Sequence, residues 1–295
     1  MLYDVSLHIG YIYDSPVSGG RHIVRVLPLS ISGRQRLVAG TLSVLPQPGE
    51  RSNMTDFFDN PATMILFRNL HESLDLKMQA RVHVDSLDPS PDFSPPVTGL
   101  AEDIAGYWSL DGSSPHHFID ASPRLPQSPE IADYAKRIIM PGMTVREAAT
   151  AICARIHADF TYDPEATTVD TSPREAFKLK RGVCQDFSHV LILAMRSLGI
   201  PAGYVSGFLR TIPPPGKERL EGADAMHAWV RFWCGRINGW MELDPTNDIP
   251  AGSDHIVVAY GRDYSDVAPV IGILKGYGSH DTKQAVDVIP VKQAA

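Results

Sequence analysis

From Tyr3 to Tyr13 apolar side chains take mainly the odd positions (Tyr3, Val5, Leu7, Ile9, Tyr11), with Asp4, Ser6 and His8 between them. A period of two is that of a strand with one buried face. The same period returns on even positions at Leu74, Leu76, Met78, Ala80, Val82 and Val84, and shorter candidate strands lie near 22–29, 36–45 and 63–68. Residues 1–88 are therefore expected to form an antiparallel β-sandwich. Prolines then recur at 89, 91, 95, 96, 115, 123, 126 and 129. Each removes a backbone donor and fixes φ, so 89–128 is expected to be a linker wrapping the surface, with one short helix around 98–107.

After the linker the period lengthens to that of a helix. Ser128-Pro129 opens one helix running to about Met140, and Thr144 with Glu147 has the spacing of a capping box ahead of the stripe Val145, Ala148, Ala149, Ile152, Ile156 and Phe160. Cys153 borders that stripe and reads as a small core residue. Ser172 and Glu175 repeat the box before a short helix ending near Lys180. A further amphipathic helix carries Phe187, Val190, Leu191, Ala194, Met195 and Leu198 and is closed by Gly199 and Pro201. Strands follow at 201–209, 227–233 and 240–243, with an exposed proline-rich loop at 210–222 and a turn at 234–239. Helices segregated from antiparallel strands make the fold class α+β. The organisation expected is a sandwich at 1–88, a linker at 89–128, a core at 129–270 and a C-terminal segment at 271–295, a strand packing on the sandwich or the core.

Composition narrows the function. The 295 residues suffice for two packed units, and 43% hydrophobic with 21% charged residues is an ordinary globular balance without a membrane span. The formal charge is -7 and no run of Lys and Arg occurs, so nucleic acid is not an expected partner. Met1 to Val5 has neither a basic region nor an apolar segment, which by default implies a cytoplasmic location. Cys153, Cys184 and Cys234 contain no Cys-x-x-Cys pair and are expected to be reduced thiols.

Cys184 differs from the other two by position. It falls in the first turn of its helix, where unpaired N–H groups and the macrodipole favour thiolate over thiol. Gly182 leaves the preceding backbone bare, so that a substrate carbonyl could approach the Cys184 N–H, although a turn glycine would look the same. Asp186 also suits the positive end of the helix, but its charge opposes thiol ionisation, so a cationic partner is required. His227 supplies one. Pairing the hairpin about its turn sets His227 opposite Asp244, with Cβ atoms roughly 5 Å apart. A slip of one residue would turn one of the two to the other face. Taken singly, His227 reads as a core or edge histidine and Asp244-Pro245 as a turn; taken together with Cys184 they form a nucleophile, its base and a group orienting the base.

Rival chemistries lack their spacing. His116 and His117 are adjacent rather than at ligand spacing, so no metal is expected, and Gly203 to Gly207 places its serine one position late for a hydrolase elbow. Nucleotide-binding loops are absent, and no cofactor is expected.

The segments 181–209 and 226–248 resemble the core of bacterial transglutaminase-like proteins, 261–270 resembles a further segment of that group, and 1–88 resembles the N-terminal domain found with it. The resemblance implies a papain-like fold with a Cys helix on an antiparallel sheet, and a triad of Cys184, His227 and Asp244. It further implies that Asn247 and Asp186 brace the triad, that Tyr162 lines the oxyanion site and that Trp229 walls the cleft. The implied activity is thiol-dependent acyl transfer on protein or peptide amides through a thioester. Hydrolysis is preferred to amine cross-linking, and a non-catalytic peptide-binding scaffold is the third reading. Oligomeric state is not indicated.

Overall fold

The computed structural model describes residues 1–86, 90–211, 222 and 224–291. Pro89, and nearly all of the loop expected over 210–222, lie outside those residues. The fold is α+β.

The alternating N-terminal segments form β1 (Leu2–Val24), β2 (Gln35–Leu45), β3 (Glu50–Thr55), β4 (Pro61–Leu66) and β5 (His71–Val84). Tyr3, Val5, Leu7 and Ile9 of β1 and Leu74, Leu76, Met78 and Val82 of β5 are buried, which is the face the period assigns them. The expected sandwich is corrected in one respect: its halves are not separate sheets. β1 runs for 23 residues, and what reads as a separate strand from 22 onward begins as its continuation. Its first half lies between β5 and β14 (His280–Pro290); its last residues lie between β4 and β13 (Val270–Lys275). The result is one curled seven-stranded sheet. Pairing is irregular between Ile12 and Val17 and again between Ser18 and Arg21, where Gly19 takes φ 60°. A bulge with a left-handed glycine bends a strand sharply, and that bend escapes an alternation pattern.

The linker is more than a surface wrap. It contains α1 (Leu100–Ala105) and buries Leu100, Ile104, Phe118 and Leu125. Next come α2 (Pro129–Ile138), α3 (Val145–Asp159), β6 (Thr161–Tyr162), α4 (Pro173–Leu179), β7 (Arg181–Gly182) and α5 (Cys184–Arg196). Both Thr144 and Ser172 cap their helices through the N–H three residues on. A second sheet is built from β8 (Ala202–Leu209), β9 (Ala225–Trp233), β10 (Trp240–Asp244), β11 (Ile249–Pro250) and β12 (His255–Gly261), in the order β11-β10-β9-β8-β12 and antiparallel throughout. The turn before β10 folds as α6 (Gly235–Asn238), and α7 (Tyr264–Val267) follows β12.

α5 packs on β8 and β9 and is covered by α2, α3 and α4. Every residue from Gln185 to Arg196 is buried, so the amphipathic stripe expected for this helix is corrected to a helix enclosed on all sides. Its polar side chains are met by loops: Arg196 donates to the carbonyls of Asp120, Ala202 and Arg262. The N-terminal sheet grips the second one. Gln35 donates to the Leu29 and Val257 carbonyls and accepts from the Val257 N–H, while Asn60 exchanges two hydrogen bonds with the backbone of Tyr260.

Candidate active site

Cys184 opens α5 after Val183, whose extended backbone serves as the N-cap. The N–H groups of Asp186 and Phe187 return to the Val183 carbonyl at 2.9 and 3.2 Å. Those of Cys184 and Gln185 are left at the open start of the helix without an intrahelical acceptor. Asp186 turns back and accepts from the Val183 N–H (2.8 Å) and the Thr167 hydroxyl (2.7 Å). Burial raises its carboxyl pKa, and those two bonds oppose the rise. Gly182 is bare for a reason the sequence does not give: a Cβ there would lie 2.3 Å from Asp186 Oδ2, at φ 154°. Its missing side chain makes room for the Asp186 carboxylate.

The register of the hairpin differs from the expected one by two residues. Trp240 faces Trp233 and Leu243 faces Val230, so Asp244 falls level with Trp229, two residues nearer the turn than His227. The turn is the cause, because α6 and the Cys234 N–H to Gly239 carbonyl bond move its centre one residue along the chain. An even displacement keeps both side chains on one face, and diagonal neighbours remain within reach. His227 Nε2 accordingly meets Asp244 Oδ2 at 2.8 Å.

Asp244 ends β10 and is completely buried. Its Oδ1 accepts from the Thr246 and Asn247 N–H groups (2.9 and 3.3 Å). Its Oδ2 accepts from Asn247 Nδ2 at 2.7 Å, besides its contacts with His227 and with His255 Nε2 at 3.2 Å. Burial opposes ionisation, but these hydrogen bonds and the His227 charge overcome it and hold the carboxyl far below the usual carboxylate range.

Burial also disfavours a charged imidazole at His227. The hydrogen bond to Asp244, the influence of Cys184 and the charge of Asp244 outweigh it and raise the pKa to about 10. The imidazole is thus bonded to a carboxylate and lies within the electrostatic influence of the Cys184 sulfur. Tyr162, more than half exposed on β6 and paired with Gly182, also lies in the field of Cys184: burial first, then that charge, raises its pKa. Buried Tyr204 feels the same charge from β8.

Trp229 does not wall an open cleft. Its ring is wholly buried in a small core with Leu29, Val205 and Val257, where it stacks on His227 (6.1 Å between centroids) and meets His255 edge-on (5.1 Å). Gly207, opposite His227, leaves the space that Trp229 fills; a Cβ there would lie 2.5 Å from the indole. The indole N–H donates to Glu242, which also accepts from the Tyr260 hydroxyl and forms a two-pronged pair with Arg34 in the turn before β2. Burial opposes ionisation of Glu242, and Arg34 with the two neutral donors nonetheless keeps its pKa below the usual value.

The 261–270 segment braces the far side of α5. Asp263 accepts from the Arg124 and Ser265 N–H groups, Arg262 pairs with Asp266, and the Tyr264 N–H donates to His189 Nε2. Burial lowers the His189 pKa to about 3, so it accepts as a neutral ring.

Four contributors are not evident from the sequence: Thr167, Glu242, Arg34 and His255. His255 is the nearest to the chemistry, yet its only signal is a lone histidine at the head of an apolar strand. His227, Asp244 and His255 bring ligand-type atoms within 4.8 Å of one another, a group that could hold a metal ion. The hydrogen bonds argue otherwise. The Gly252 N–H donates to His255 Nδ1 (3.1 Å), which leaves the ring proton on Nε2, aimed at Asp244. A cation at Nε2 would displace that proton to Nδ1 and set two donors face to face.

Residues 132–245 match the transglutaminase-like superfamily, and residues 3–83 match the bacterial transglutaminase-like N-terminal region. An uncharacterized protein of Mycobacterium tuberculosis is 37% identical over 266 residues, covering 87% of this chain and 83% of its own. One from Mycobacterium leprae is 31% identical over 284 residues, covering 95% of each. The crystal structure of a candidate cysteine protease from Cytophaga hutchinsonii shares the fold, with a TM-score of 0.76 at 22% identity over 100% of this chain and 92% of that one.

Proposed function

We propose, from the premise that this chain belongs to the transglutaminase-like superfamily and carries its bacterial N-terminal region, that it is a thiol-dependent acyl-transfer enzyme acting on protein or peptide amide bonds. The observation that carries the reading is the His227 imidazole, coupled at once to Asp244 and to Cys184 and raised to about 10 by both against its burial.

Cys184 sulfur, as the thiolate of a thiolate-imidazolium pair, attacks the amide carbon. The carbonyl oxygen takes the electron pair and is received by the free N–H at the start of α5, with Tyr162 beside it. Collapse breaks the C–N bond as His227 protonates the departing amine, leaving a thioester on Cys184. Water then attacks the thioester, giving its proton to His227; the acyl group leaves as a carboxylic acid and the ion pair re-forms. Asp244 keeps the imidazole oriented and its charge balanced, and Asp186 fixes the backbone before the nucleophile. Hydrolysis is the outcome we assign, since water requires no acceptor groove whereas cross-linking requires a bound amine.

The test is turnover of a peptide library by wild type and Cys184→Ala, with and without a primary amine. The variant is expected to lose all turnover while its stability stays within about 1 kcal/mol. Acids rather than amine adducts are expected as products. Undiminished turnover by Cys184→Ala would reject the assignment of the nucleophile; amine incorporation would replace hydrolysis with cross-linking.

A further inference from the structure

Asp244 is engaged by two imidazoles rather than one. His227 and His255 both reach the same oxygen, Oδ2, at 2.8 and 3.2 Å. We propose that His255 is a positioning residue of this site: a fixed neutral donor that holds the Asp244 carboxylate in the orientation that serves His227. The inference rests on the functional reading above and names a residue that reading does not require.

Three observations carry it. His255 is buried, 2% exposed, so its polar edge faces protein rather than solvent. Its tautomer is set from behind, because the Gly252 N–H occupies Nδ1 and the ring can only donate through Nε2. Its plane is set from the side by Trp229, whose ring meets His255 edge-on and stacks on His227. One indole therefore indexes both imidazoles against a common carboxylate. Asn247 Nδ2 and His255 Nε2 share Oδ2 with His227 Nε2, while two backbone N–H groups hold Oδ1, so the carboxylate cannot turn away from His227 without breaking bonds at both oxygens. A donor that cannot change tautomer also cannot act as a second base, so the mobile proton stays between His227 and Cys184.

The inference makes β12 part of the machinery, although it lies at the far edge of the sheet from β10. A general structural role for His255 would predict something different: a loss of stability shared by every substitution, with no preference for a side chain that donates.

The experiment compares His255→Leu, His255→Gln and His227→Ala in the full chain. Readouts are the iodoacetamide alkylation rate of Cys184 near pH 7, kcat and KM on a peptide amide, and the melting temperature. His255→Leu is expected to lower kcat and the alkylation rate by roughly tenfold to a hundredfold, the range that one hydrogen bond to a charged group spans, with KM little changed. His255→Gln places an amide N–H where Nε2 stood and is expected to recover most of both rates. Wild-type rates in a folded His255→Leu would overturn the inference. So would a His255→Gln as impaired as His255→Leu when both melt like wild type. Should His255→Leu not fold, His255→Gln decides, near-wild-type kcat supporting the proposal and a leucine-like loss refuting it. His227→Ala separates the levels. If it lowers alkylation while His255→Leu does not, the positioning role alone fails; if it too alkylates at the wild-type rate, the thiol-imidazole pair fails and takes the inference with it.

Discussion

Removing Arg34 gives a sharp stability test of how the N-terminal sheet supports the site. Its guanidinium and the Glu242 carboxylate form a pair with side chains only 15% and 6% exposed, across the junction between the two sheets. Arg34→Met preserves the apolar stem and deletes the charge, leaving Glu242 buried without its paired guanidinium and with Arg231, opposite it on β9, as a nearby cation. Orphaning one member of a buried pair costs about 3–5 kcal/mol. Here the lower end, about 3 kcal/mol, is expected, because the Trp229 indole and the Tyr260 hydroxyl still donate to the carboxylate. The sign of the pH dependence follows from Glu242. Its pKa is lowered in the intact protein, so it contributes stability above its unfolded value, and that contribution is lost as pH falls. In the variant burial acts unopposed by Arg34 and raises the same pKa, so protonation relieves the penalty. Denaturant unfolding should therefore show a large difference from wild type at pH 7 that shrinks near pH 4.5. Arg34→Met with Glu242→Gln should recover much of the loss. A penalty below about 1 kcal/mol at pH 7, within the usual span for surface pairs, or one equal at both pH values, would refute the account.

Two further outcomes are expected. With the His227 pKa raised to about 10, its coupling contributes stability fully below the ordinary imidazole value of 6.5, and the contribution is lost as pH rises through about 10. Turnover should fall over the same upper range as the acid that protonates the leaving amine disappears, while Cys184 alkylation should not fall; a turnover profile flat to pH 11 would contradict the assignment of that acid. Gly182→Ala forces a Cβ to within 2.3 Å of Asp186 Oδ2 and should cost about 1–3 kcal/mol in denaturant unfolding, as overpacking does, together with part of the turnover. An unchanged midpoint would show that Asp186 can move without loss.

Local periodicity carried much of the architecture into the sequence. β1 and β5 could be read because each buries alternate side chains, and α3 because its capping box and stripe agree. Parity proved more legible than register. Whether His227 and Asp244 share a face depends only on odd and even spacing, whereas their pairing depends on how six residues turn, and α6 moved it by two. What stayed hidden depends on contacts remote in the chain. Trp229 belongs to an interior built partly by Leu29, and His255 reaches Asp244 through a sheet whose edge order no local pattern reveals. Enclosure of α5 is similar, because polar Ser188, His189 and Arg196 mimic a solvent face until loops from elsewhere cover them.

The 23-residue β1 has a mechanical consequence. It takes one set of neighbours, β4 and β5, from before the second sheet in the chain, and another set, β13 and β14, from after it. The thiol-bearing unit is thus an excursion whose departure and return are sewn to the same ribbon. The chain leaving that ribbon runs directly into Leu29, Arg34 and Gln35, which hold β12 and Glu242. Removing the last strand would therefore strip one flank from the ribbon that leads into the residues bracing the bench on which the imidazoles rest.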